Sequence, residues 1–139
     1  MRGDLPVKND TDVSADDIAS NNLILFGDPG SNSLIAKVIG KLPIQWTRTE
    51  IAVGSEKVPA AGNTVAMIYP NPLNPQKYIV INSGHTFNLN RVFTGTESLF
   101  FPRIGDYALI HVDPSAMGGL TPVGDVKLSG FFNESWQLR

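Results

Sequence analysis

Three side chains raise the question of chemistry: Asp28, Ser83 and His85. An imidazole serves as a general base near neutral pH, a hydroxyl as a nucleophile or donor, and a carboxylate as the group that orients the imidazole. Asp28 lies in the turn Gly27-Asp28-Pro29-Gly30-Ser31-Asn32, and Ser83-Gly84-His85 forms a second turn. Each turn closes a short apolar run. The ligand-binding candidates are Gly27, Gly30, Ser31 and Asn32 in the first turn and Gly84 in the second. Glycine lets a ligand approach the backbone, and the free amides of a helix start attract anions. If the two runs lie parallel, Asp28, Asn32, Ser83 and His85 converge at the carboxyl ends of two strands, where open sheets gather their ligands. Such a cleft would suit hydrolysis of an ester or phosphoester, with a small anionic group held at the helix start.

The competing reading is structural. The first turn is neither G-x-G-x-x-G nor G-x-x-x-x-G-K-[ST], and Asp28 repels a phosphate unless a cation intervenes. Ser83 is not in a G-x-S-x-G elbow. A tight turn with a helix cap is the commoner use of these residues. His111, inside an apolar strand beside Asp113, reads as a hydrogen-bonded core or edge histidine rather than a catalytic one. No spacing of H-E-x-x-H type joins His85 and His111 to Asp28 and Asp113, so neither a metal site nor a cofactor is assigned.

The elements that must position these residues follow from periodicity. Asn22 to Phe26 is an apolar run that reads as a buried strand. After the turn, Leu34, Ile35, Val38, Ile39 and Leu42 recur at helical spacing until Pro43 stops the helix. Ser31 or Asn32 is its cap, with Asp28 as the alternative. Ser14 caps a shorter helix, with Asp17 at the capping-box position. Ile44 to Val58 reads as one or two short strands, with a hairpin turn at Gly54-Ser55. Strands follow at 64–69, 77–82, 107–112 and 126–132. The residues 70–75 between two of them carry three prolines and read as a loop. Short helical pieces fall at 86–91 and 94–99, and a terminal turn or helix at 133–138. Interleaved strand and helix signals predict one α/β domain over 14–139: a mixed, mostly parallel sheet flanked by helices, with a Rossmann-like strand–turn–helix start. Residues 1–13 read as an extended lead-in or linker.

Composition bounds the partners. The chain has 139 residues, 42% hydrophobic and 17% charged, with a net charge of -2. That suits one globular core and gives no general field for nucleic acid or an anionic membrane. No run is long and apolar enough to span a bilayer, and Met1 to Asp12 lacks the apolar core of a signal peptide. Without cysteine there is no disulfide, thiolate ligand or Cys nucleophile. Arg2-Gly3-Asp4 matches an adhesion tripeptide, a motif too short to carry weight. The pairs Phe100-Phe101 and Phe131-Phe132 interest us more. Neighbours on an extended strand face opposite ways, so one ring of each pair is expected at the surface.

Three phrases resemble the C-terminal region of large bacterial proteins with a prolyl-oligopeptidase-like α/β-hydrolase domain. They are Asn22-Leu-Ile-Leu-Phe-Gly-Asp-Pro-Gly-Ser-Asn32, then Ile68-Tyr-Pro-Asn-Pro-Leu-Asn-Pro-Gln-Lys-Tyr78 continuing to Asn82-Ser-Gly-His-Thr-Phe87, and Gly130-Phe-Phe-Asn-Glu-Ser-Trp136. In such proteins the serine nucleophile belongs to the upstream hydrolase domain, so no catalytic residue carries over. The resemblance implies a non-catalytic accessory or interaction domain of an exported protein. Its partner would be a hydrolase domain in cis or in trans, or a second copy of itself.

Overall fold

Among the described residues the apolar runs assemble into two sheets rather than one. The computed structural model describes residues 5–82, 104–111 and 125–139. Asp10–Asp12 forms a 3-10 turn, and α1 spans Ala15–Ser20. Strand β1 (Leu23–Phe26) leads through the turn into α2 (Ser33–Val38), which relaxes into a 3-10 turn at Ile39–Lys41. Then come β2 (Ile44–Trp46), β3 (Glu50–Val53), β4 (Glu56–Pro59), β5 (Asn63–Asn71), β6 (Asn74–Asn82), β7 (Tyr107–His111) and β8 (Asp125–Gly130). The predicted helical pieces at 86–91 and 94–99 lie outside the described residues.

The larger sheet has the order β1-β6-β5-β7-β8, and the smaller one β2-β3-β4. Among the strands of the described residues only β1 and β6 pair in parallel; the other strand pairings are antiparallel. Strand occupies 46% of the described residues and helix 18%. The helix-flanked, Rossmann-like α/β reading is therefore wrong. Among the described residues one strand–turn–helix unit is present and yields one parallel strand pairing, but it does not repeat. The segment after α2 reverses at Gly54-Ser55, where Gly54 has a φ of +61°, and closes a three-stranded antiparallel sheet.

The prolines between 70 and 75 misled in the same way. Pro70 lies within β5 and Pro75 within β6, so the hairpin turns tightly at Pro72-Leu73. Each proline sits where its strand has a neighbour on one side only. The β5–β7 ladder stops at Met67 opposite Tyr107, and the β1–β6 ladder begins at Ile79. A missing N–H breaks nothing on that open side.

The core lies between one face of the large sheet and a layer made of α2 and the small sheet. Leu25, Val65, Met67, Ile79, Ile81 and Leu109 meet Leu34, Ile35 and Val38 from α2 and Ile44, Ile51 and Val53 from the small sheet. The helical stripe read from sequence thus faces the core. Strand β1 does not behave as the buried strand expected. It is an outer strand, so Leu25 is buried while Ile24 and Phe26 stay 55% and 58% exposed. The stretch read as a lead-in is tied down at three points, one of them Asp10, which accepts from the Ser33 amide of α2. Lys8 Nζ bonds both Asp17 carboxylate oxygens, at 2.9 and 2.7 Å, and Val13 packs on the core. Ser14 and Asp17 form the expected capping box on α1.

Candidate functional site

The turn after β1 is built from its own side chains. Gly27 has a φ of +106°, and a Cβ there would lie 2.6 Å from Ser31 Oγ, so glycine is required. Asp28 turns its carboxylate back on the chain. One oxygen accepts from the Gly30 amide at 2.6 Å and the other from the Ser31 hydroxyl at 3.1 Å. The Asp28 amide in turn donates to Ser31 Oγ at 3.0 Å. Asn32 is the cap of α2: its Oδ1 accepts from the Leu34 and Ile35 amides at 3.0 and 3.1 Å. Its Nδ2 donates to the Phe26 carbonyl at 3.0 Å, stapling the helix start to the end of β1.

The remaining first-turn amide of α2 is taken from a distance. Ser33 N–H donates to Asp10 Oδ2 at 2.7 Å. Hydrogen bonds from the Ser33 side chain and then its backbone amide hold the Asp10 carboxyl below the usual carboxylate range. The amides expected to greet an anion thus already have acceptors, and one of these is itself a carboxylate. Sequence reasoning missed Asp10, which lies 23 positions before Ser33 in a polar run without periodicity.

The geometry of the rim fits the other premise of the sequence reading. β1 and β6 are adjacent and parallel, with Phe26 opposite Asn82, so both strands end at one edge of the sheet. Ser83, Gly84 and His85 follow β6 in sequence and lie outside the described residues. Strand β7 points the same way as β6, which brings His111 to this rim as well. Its Nδ1 sits 3.3 Å from Asn63 Oδ1 on the neighbouring strand. Three strand spacings separate β7 from β1, roughly 14 Å, so His111 is no partner for Asp28. Among the described residues no three carboxylate or imidazole groups gather closely enough to hold a metal ion.

Two other features bear on function. An open groove of about 370 Å³ lies on the small sheet, with Ala52 as floor, Gln45 and Lys57 as flanks, and Leu42 and Leu138 among its walls. No residue of the 27–32 turn lines it. The aromatic pair at 131–132 splits as expected: Phe131 is 63% exposed and Phe132 6%. Phe132 anchors a ring cluster, with centroids 5.4 Å from Tyr69, 5.0 Å from Tyr107 and 5.9 Å from Trp136. The pair Phe100-Phe101 lies outside the described residues. No helix among the described residues is long and apolar enough to cross a membrane. No protein-family model, curated protein or solved structure matches the chain.

Proposed function

We propose that this chain is a non-catalytic accessory or interaction domain of a larger hydrolase-type protein, packing on a hydrolase domain in cis or in trans. The observation that carries this reading is the saturation of the α2 start. The Ser33, Leu34 and Ile35 amides are held by Asp10 and Asn32, and Asp28 is spent on its own turn. An anionic substrate group would have to displace these acceptors. Meanwhile Phe131 presents a large apolar ring to solvent, which suits contact with a partner.

A second reading is a small hydrolase acting through Asp28, Ser83 and His85. It is favoured by one fact, the parallel register that ends β1 and β6 at the same rim. Assaying the purified chain against esters, phosphoesters and peptides separates the two. The accessory reading expects no turnover above buffer. Robust turnover that disappears in His85→Ala overturns it in favour of the hydrolase.

A further inference from the structure

Among the described residues the two sheets have four outer strands, and these differ in how they resist pairing with another chain. An outer strand offers unpaired amides and carbonyls, and proteins block them with charge, proline, a bulge or a very short strand. Strand β8 carries Lys127. Its register steps from Leu128 opposite Leu109 to Val126 opposite Ile110, leaving Lys127 as the extra residue of a bulge. Strand β4 carries Glu56, Lys57 and Pro59. Strand β2 is three residues long and turns Gln45 to solvent. Strand β1, Leu23-Ile24-Leu25-Phe26, has no charge, proline or bulge. It also shows solvent two large apolar side chains, Ile24 and Phe26.

We infer that β1 is a self-association edge, through which two copies pair antiparallel across a two-fold axis normal to the large sheet. Such an axis keeps each face continuous, because solvent-facing residues of one copy then meet solvent-facing residues of the other. A register centred on Leu25 sets Ile24 of each copy opposite Phe26 of the second, an aromatic against β-branched pair of the kind that stabilises sheets. Leu25 meets Leu25 on the core side. The occupant is a second copy because β1 is complementary to itself in this register. It has no charged side chain to repel its equivalent across the axis, as the Lys127 or Lys57 of the other edges would. The Asn32 side chain holds the Phe26 carbonyl, so the new ladder ends where the chain turns at Gly27. Strand β1 contributes four residues per copy, so the interface is small and the dimer weak and concentration-dependent.

This inference stands apart from the accessory-domain reading, since it concerns the chain with itself. The test is sedimentation of the full chain from micromolar concentration to about 1 mM, together with hydrogen exchange of the β1 amides over the same range. Expected are a monomer–dimer equilibrium and β1 protection that rises with concentration. Ile24→Lys and Phe26→Lys place a charge on each side of the axis and should weaken the dimer by about tenfold or more. Both positions are over half exposed, and an unchanged amide spectrum confirms that these variants fold. Val7→Lys, at a position 93% exposed on the lead-in, should change nothing. A chain monomeric throughout overturns the inference. So does a dimer that survives both β1 substitutions, or one that Val7→Lys abolishes.

Discussion

At the end of β1 the chain is held by side-chain oxygens, and around Phe132 it is held by shape. In the first region Asp28, Ser31, Asn32 and Asp10 satisfy backbone amides one by one, mostly at the surface. In the second, Gly105 adopts a φ of +62° directly against the Gly130 carbonyl, and the Tyr107 ring lies over Gly130. The Asp106 carboxylate accepts from the Phe132 amide at 3.1 Å, and the Phe132 ring enters a cluster of three other aromatics. Tolerance to substitution should differ between the two regions. A capping bond has water as an alternative partner, so its loss is modest. A buried ring or a bare Cα has no alternative, so its replacement opens a cavity or forces backbone apart.

The contrast can be broken by measurement. Phe132→Ala should have the largest effect, about 3–5 kcal/mol of unfolding free energy, read by chemical denaturation. A loss below that of a cap substitution would refute the idea that shape dominates there. Gly105→Ala should follow at roughly 2–4 kcal/mol, because a Cβ must enter the Gly130 carbonyl in a left-handed conformation. Retained stability would mean that this approach relaxes freely. Asn32→Ala should remove only about 1 kcal/mol, whereas Asn32→Asp keeps the acceptor and should retain most of the stability. Equal losses in the two variants would assign the effect to the Nδ2 bond instead.

The smallest effect is one of pH. A hydrogen bond from Lys8, followed by those from the Ser14 amide and hydroxyl, brings the Asp17 carboxyl down to about 2 from 3.8. The lowered folded value means that its contribution is complete above the unfolded value and fades as pH falls from 3.8 toward 2. Carboxyl titration by NMR should place the Asp17 midpoint near 2, and Lys8→Ala should move it upward. A midpoint at the ordinary value would show that the ion pair does not persist in solution.

Legibility in the sequence followed the range of the interactions. The Ser14–Asp17 box and the Leu34–Ile35–Val38 stripe were readable because each is decided within one or two helical turns. The reversal at Gly54-Ser55 was readable for the same reason. The fold class was not. One genuine strand–turn–helix unit invited extrapolation to a repeating pattern, while β2 and β3 are too short for their alternation to register. A hairpin between β5 and β6 was legible as an alternative, but its tight turn at Pro72-Leu73 was hidden because the proline rule depends on which neighbours a strand has, and sequence does not say. In the candidate site, the turn and the Asn32 cap were legible. The Asp10 carboxylate that fills the last amide was not, since nothing local ties it to Ser33.

The placement of Pro70 and Pro75 gives the large sheet a tapered outline. All five strands overlap at the end where β1, β6 and β7 finish, whereas only the β5–β6 hairpin continues to the opposite end. That narrow end is braced by Asn74, whose Nδ2 donates to the Ile18 and Ala19 carbonyls of α1, and by Trp136 against Tyr69 and Tyr78. The chain after β6 and the chain after β7 therefore both set out from the broad end.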